Sequence, residues 1–347
     1  MADPGTPAHP APTSLTRSRV AWVGVICGVL YGLLARLVFG LKVLQGPFAV
    51  MSVAFIFGVP FSLGFLAVAL GERDGTWSWG RRLTAPWVPA LVSLAAALVL
   101  AWEGIICIAL WLPLFLLMSS LGGAAAGLVA RWRHARGPRQ GRLMATVLVL
   151  PFLAAPLESR LAAATQLREV DTAIDIDAPP ATVWRHIIRV PAFRSEEHRV
   201  AFSHVIGFPR PVEATLSHEG VGGVRHATFE RGVLFVETVT TWEPERELAF
   251  SIRADPGTIP PSALDEHVTV GGPYFDVLDG RYRLEPLGAG RVRLHLSSTH
   301  RLSTHFNSYS GAWTDFVMRD VQRYILGILK ERCEREAGTG KLAHPSP

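Results

Sequence analysis

Glu237 stands in the middle of the run LFVETVT, where its neighbours are apolar or threonine. A carboxylate buried at such a position has a raised pKa and can serve as a general acid or base. The commoner fate of a mid-strand carboxylate is the outer, solvent-facing side, and both readings stay open. His267 in DEHVTV, and Tyr274, Asp276, Asp279 and Arg281 in GGPYFDVLDGR, could do polar chemistry too, although turns and surface ion pairs account for most such residues. His295, His300 and His305 suggest a metal only at first sight. The first two fall at different faces or ends of one strand, and no carboxylate-histidine spacing accompanies them, so no metal is expected. Arg301, His305 and Asn307 cluster where the last strand meets the last helix, a place to contact a ligand headgroup or simply to cap the helix. The chain has no GxSxG, Walker, GxGxxG or HExxH pattern. That removes the usual support for acyl hydrolysis, nucleotide binding and zinc-protease chemistry, and no cofactor is expected.

The elements that position these residues lie in the second of two unlike halves. Up to about residue 160 acidic residues are nearly absent and long apolar runs dominate; afterwards charged residues recur and apolar ones alternate. Residues 1–16, rich in Pro, Ala, Ser and Thr, read as a disordered tail. Residues 17–165 read as a transmembrane region with five spans near 20–40, 48–70, 86–102, 104–130 and 143–163. The first could be a signal peptide, but it is long and lacks a small-residue cleavage site. The fifth is the weakest. Its uncharged core of fifteen residues carries Pro151 and Pro156 and needs Glu158 and Arg160 to reach the far headgroups.

The net charge of +5 comes largely from arginines that border the apolar runs. Arg17 and Arg19, then Arg73, Arg81 and Arg82, then Arg131, Arg133, Arg136, Arg139 and Arg142 fall on one side of a five-span arrangement. That side is the cytoplasm by the positive-inside rule, which places the carboxy-terminal half outside it if the fifth run crosses. A bacterial-type cytoplasmic membrane is the expected setting. Gly24, Gly28 and Gly32, and again Gly123 and Gly127, have the spacing that lets membrane helices approach closely, within one bundle or between two copies. Arg36 and Glu103 lie near span ends, where snorkelling is the ordinary explanation. The cysteines Cys27, Cys107 and Cys333 are far apart and form no CxxC pair, so neither a disulfide framework nor a zinc site is indicated. No basic stripe with interleaved aromatics suggests nucleic acid.

In the second half, residues 170–177 alternate as a strand, Pro179 and Pro180 open a short helix, and residues 191–211 are irregular with room for a second helix. Strand patterns follow at 223–230, 233–242, 248–254, 274–286 and 291–298, with LGAG at 287–290 signalling a hairpin. The last run, 306–336, places Phe306, Tyr309, Trp313, Phe316, Val317, Val321, Tyr324, Ile325, Ile328 and Leu329 on one stripe of a long helix. Residues 337–347 read as a second tail.

This order resembles the helix-grip fold, and several stretches resemble the START-like or SRPBCC superfamily of polyketide cyclase/dehydrase, lipid-transport-like and Bet v 1-like proteins. IDIDAPPATVWRHI (174–187) is similar to its opening strand and helix, and GVGGVRHATF (220–229) to its glycine turn. VETVTTWEPERELAFSI (236–252) and YRLEPLGAGRVRLHL (282–296) are similar to its later hairpins. The resemblance covers about residues 168–336 and none of the membrane half. It implies a curved antiparallel sheet around the final helix with an apolar cavity between them. The fold class expected is therefore an α-helical membrane bundle followed by an α+β helix-grip domain. Candidate ligand-binding residues are Phe229, Phe235, Glu237, Phe250, Arg301, His305, Asn307, Tyr309, Trp313 and Phe316, and no catalytic residue transfers by motif. The expected ligand is hydrophobic or lipid-like and the expected partners are membrane lipids. A cyclase- or dehydratase-like enzyme, and a membrane-tethered interaction or sensor module with a merely packed core, remain as alternatives.

Overall fold

A computed structural model of the chain describes residues 14–44, 46–72, 75–133, 140–254, 267 and 269–343. Two compact units divide it, one of helices before residue 163 and one of residues 163 onward, to which Glu103–Leu110 also belongs.

In the first unit, α1 is Ser14–Gly40 and a π turn, Ala54–Gly58, runs directly into α2, Val59–Gly71. The short α3, Trp79–Thr84, precedes α4, Trp87–Val99, and α5 (Ile105–Arg133) and α6 (Gln140–Glu158) follow. Five stretches are long and apolar enough to cross a membrane: Arg19–Gly40, Ala54–Gly71, Trp79–Val99, Ile105–Trp132 and Gly141–Glu158. Their bounds differ from those expected. The second starts at Ala54, not at 48. The third starts at Trp79, where the Ser78 hydroxyl caps the helix at Arg81 N (3.3 Å), and a turn at Ala85 and Pro86 divides it. The fifth stops at Glu158, whose carboxylate accepts hydrogen bonds from Val53 N (2.6 Å) and Ala54 N (2.9 Å). The end of α6 thus lies beside the start of the second stretch. Arg36, near the end of α1, donates to Trp102 O (2.5 Å).

Small residues set the spacing inside this unit. A Cβ on Gly64 would lie 1.9 Å from Ser119 O, and one on Gly122 would lie 1.9 Å from Phe61 O, so α2 and α5 touch backbone to backbone there. Gly24 meets α2 in the same way at Ala67 O, so it packs within the bundle. Gly127 serves Arg82: a Cβ would fall 2.4 Å from the arginine side chain. Arg82 corrects its grouping with the arginines of the loops. It is buried and holds Glu72 through two bonds of 2.8 and 2.7 Å, and Glu72 also accepts Trp77 N at 2.8 Å.

The second unit is a seven-stranded antiparallel sheet around one long helix. Its elements in order are β1 (Thr165–Ile176), α7 (Pro180–Ile188), α8 (Phe202–Val205), β2 (Pro211–Leu216), β3 (Val224–Phe229), β4 (Leu234–Glu243), β5 (Glu247–Ala254), β6 (Phe275–Gly288), β7 (Arg291–Ser303) and α9 (Asn307–Ala343). The strand order is β1-β7-β6-β5-β4-β3-β2, so the first strand lies beside the last. Alternation explains the sheet: Val292, Leu294, Leu296, Ser298, His300 and Leu302 of β7 are all buried, while the residues between them are half-exposed. β2 has no counterpart in the sequence reading. At the 288–290 hairpin, Gly288, Ala289 and Gly290 all adopt positive φ, as the LGAG signal requires.

Helix α9 departs from expectation at both ends. It continues to Ala343 and so includes part of the stretch read as a tail. Its burial is also uneven. Leu326, Ile328, Leu329 and Cys333 are fully buried, but Phe316 is 45% exposed and Trp313 only half-buried. Those two rings pack on Phe202, at 5.2 and 6.3 Å between centroids.

Arg332 ties α9 to the chain before β2. It holds Glu197 through bonds of 2.9 and 2.6 Å and donates to Pro191 O (2.8 Å) and Ala192 O (3.0 Å). The Arg332 hydrogen bonds, with help from Arg194 N, bring the Glu197 carboxyl down from 4.5 to about 2. A depressed native pKa stabilises fully above the unfolded value and loses that effect as pH falls through the folded one. Acid unfolding should therefore show the native chain losing stability relative to Glu197→Gln between about pH 4.5 and pH 2. Parallel curves across that window would mean that the pair is not formed.

Candidate functional site

The inward residues of β3, β4, β5 and β6 build one polar cluster inside an aromatic wall. Arg225 of β3 stands opposite Glu237 of β4, and Glu237 opposite Ile252 of β5. Phe250 pairs with Gly280 and Leu248 with Tyr282 across β5 and β6. Gly280 is needed here: a Cβ would fall 2.6 Å from the Phe250 ring, so its absence lets that ring lie across β6. The Arg225 guanidinium lies 5.3 Å from the centre of the Phe250 ring and 6.0 Å from that of Tyr282, within cation-π range.

Arg225 and Glu237 are 3% and 6% exposed and joined by a direct ion pair. Burial pushes the Glu237 carboxyl up from its ordinary value, and the charge of Arg225 pulls it back. A guanidinium keeps its proton in a protein, so the positive member of the pair is permanent. Arg225 Nε is buried with no hydrogen-bond partner. Burial also raises the Tyr282 phenol. Phe229 and Phe235 meet edge to face at 5.0 Å, and Trp184 and Trp242 at 5.2 Å. The cluster can therefore hold one polar group of a molecule whose remaining surface is apolar.

A second polar line runs beneath α9. Thr172 donates to Gln322 Oε1 (2.7 Å), whose amide nitrogen reaches Ser298 Oγ (2.9 Å). His300, wholly buried, contacts Thr314 Oγ1 through Nε2 (3.3 Å), while its Nδ1 has no hydrogen-bond partner. Burial lowers its pKa, which keeps the ring neutral. Asp315 beside it is held by Arg168 through bonds of 2.9 and 2.6 Å.

The structure separates the ten candidate residues into groups. Phe229, Phe235, Glu237 and Phe250 share the concave face. Arg301 donates to Gly272 O (2.6 Å), Pro273 O (3.1 Å) and Ser303 Oγ (2.9 Å), so it organises a loop. Asn307 caps α9, accepting from Thr304 N and Thr304 Oγ1 (both 2.8 Å) and donating to Ala164 O (2.6 Å). Tyr309 donates to Leu110 O (2.6 Å). His305 is half-buried at the same junction, and Trp313 and Phe316 lie apart with Phe202. Arg225, Tyr282, His300 and Gln322 are among the interior polar groups that were not ligand-binding candidates. The signal for Arg225 was available: it shares a face with Ala227 and Phe229 in an alternating run. The three strand-end histidines do not converge, since His295 pairs with Glu285 (3.1 Å) and Asp171 (3.5 Å) away from His300. Donors that do converge are Glu103, Cys107 and His267.

Residues 168–334 match the family described as polyketide cyclase / dehydrase and lipid transport. Among curated proteins none matches the chain significantly. Solved structures similar to it include an aromatase/cyclase, Zhui, from a Streptomyces species (17% identity, TM-score 0.33, 50% of this chain and 99% of that one). A START superfamily protein from Mycobacterium smegmatis has 11% identity and a TM-score of 0.32, over 48% of this chain and 98% of that one. Norcoclaurine synthase from Thalictrum flavum, in complex with dopamine and hydroxybenzaldehyde, has 12% identity and a TM-score of 0.31, over 53% and 91%. At identities and scores this low, none of the three bears on function.

Proposed function

We propose that this chain, whose residues 168–334 form a START-like (SRPBCC) domain of the polyketide cyclase/dehydrase and lipid-transport family, is a membrane-anchored protein that binds a hydrophobic, lipid-like molecule between the sheet and α9. The observation that carries this reading is the Arg225–Glu237 pair beneath the aromatic wall of Phe250 and Tyr282. A buried ion pair is a poor way to stabilise a core, because desolvating two charges offsets most of their attraction. A single polar anchor in apolar surroundings is instead what orients an amphipathic ligand. The partners are then bilayer lipids and a hydrophobic small molecule rather than nucleic acid.

The test uses the full chain in detergent. Native mass spectrometry should detect a hydrophobic molecule retained by the native protein and lost when Arg225→Met and Glu237→Leu are combined. An identical set of bound molecules in both proteins, with both folded, would mean that the concave face is only a packed core, as in a tethered interaction module. A cyclase- or dehydratase-like reading draws on the same cluster, with Glu237 as acid or base beside Tyr282. Chemical change of the retained molecule, abolished by Glu237→Gln while retention persists, would favour it.

In this reading the five apolar helices cross a membrane, with the amino terminus in the cytoplasm. Support comes from the arginines of the loops, even without Arg82, and from the position of Glu158 beside residues 53 and 54. An odd number of crossings puts the START-like domain outside the cytoplasm. A reporter active only outside the cytoplasm should be active when fused to the carboxy terminus. A silent fusion, with good expression and an active cytoplasmic reporter at the same site, would reverse the assignment.

A further inference from the structure

We infer that Glu103, Cys107 and His267 form a binding site for a divalent cation of the zinc type. The inference is independent of ligand binding on the concave face. One carboxylate oxygen, one sulfur and one imidazole nitrogen from these residues all lie within 4.8 Å of one another. The His267 Nδ1 to Glu103 Oε2 distance is 3.8 Å. Around a tetrahedral zinc, bonds of about 2.0–2.3 Å place neighbouring donors roughly 3.3–3.8 Å apart. Reaching that geometry takes a closing of the donor atoms by up to roughly 1.5 Å, a distance that side-chain rotation can cover.

Local structure explains why these donors meet. Glu103 lies just ahead of α5 and Cys107 in its first turn, so the chain entering the helix carries both. The turn that carries them is held firmly. Glu103–Leu110 belongs to the same compact unit as His267. Ile106 and Cys107 cluster with Ile206, flanked by Phe208 and Val317, and the Tyr309 hydroxyl fixes Leu110 O at 2.6 Å. Glu103 and Cys107 are buried and His267 half-buried, so the group is protein-lined with one side less enclosed.

The donor set selects the ion. Calcium and magnesium want oxygen ligands in greater number, whereas thiolate with imidazole suits zinc and its neighbours in the first transition series. Three protein donors leave a fourth position for water or another small ligand, the arrangement of an open rather than a closed zinc site.

The test measures zinc content of the full chain purified without chelator, beside Glu103→Gln, Cys107→Ser and His267→Ala. About one equivalent is expected in the native protein. Each variant should bind zinc at least about tenfold more weakly, since even an outer partner of a zinc ligand contributes that much. Cobalt(II) substitution gives a readout independent of stability. Native protein should show a sulfur-to-cobalt charge-transfer band that Cys107→Ser abolishes and His267→Ala shifts or weakens. Zinc content at background in the native protein, or equal in the native protein and all three variants, would overturn the site. So would a cobalt spectrum without any sulfur band.

Discussion

Replacing Glu237 by alanine is expected to destabilise the START-like domain by about 3–5 kcal/mol, the usual effect of removing one partner from a buried ion pair. The reason lies in what remains. Arg225 cannot shed its proton, its Nε already has no hydrogen-bond partner, and only cation-π attraction to the Phe250 and Tyr282 rings and the Tyr282 hydroxyl are left to it. For a domain of this size, each kcal/mol corresponds to about 2–4 °C in melting temperature, so a fall of about 6–20 °C should be visible in the fluorescence of Trp184 and Trp242. Combining Glu237→Leu with Arg225→Met removes both charges and should restore most of the loss, because hydrophobic substitutes for a buried pair are often neutral or better. A change below about 1 kcal/mol on Glu237→Ala, the range of exposed pairs, would mean that water reaches the cluster.

Trp184→Ala should be comparably severe, at about 3–5 kcal/mol for a large buried ring. Trp184 lies on the buried face of α7 with Val183, Ile187 and Ile188 and meets Trp242 edge to face at 5.2 Å. Phe316→Ala provides the contrast. At 45% exposed, packed on Phe202 and Trp313, Phe316 should contribute well under half as much. Thermal melts of the two variants side by side test whether the amino-terminal half of α9 is loosely packed at Phe316. Equal losses would place Phe316 in the core.

The pattern of elements was legible because alternation and helical period report which face of a strand or helix meets a core. Strands β3 to β7 and the existence of α9 follow from that rule. Its failures have physical causes. The sequence places Phe316 on the same broad stripe as Ile328 and Leu329, but a stripe that wide does not report which of its residues the partner surface reaches. Arg225 and Glu237 occupy inward positions that alternation reserves for apolar side chains, and pairing alone makes them tolerable there. Arg82 sits among arginines of the loops, and only the packing of Gly127 against it reveals that it is internal. β2 is six residues long, with only Pro211 and Ala214 fully buried, too few for a pattern. Glu103 and Cys107 show a helical spacing, but His267 is separated from them by most of the domain, and no local rule joins such distant residues.

The adjacency of β1 and β7 also governs how this domain can be made. Every residue of β1, from Thr165 to Ile176, pairs with β7, between Ser303 and Val292. β1 leaves the ribosome more than a hundred residues before that partner exists. At about 5–20 residues per second, the nascent chain carries an unpaired edge strand for roughly 6 to 28 seconds. During that interval an alternating apolar strand is open to mispairing with another chain. Completion of the sheet must await the last strand, so folding here is a late event that follows synthesis of nearly the whole polypeptide. A ribosome stalled between β1 and β7 would hold a chain with its apolar helices finished and its first strand still without a neighbour.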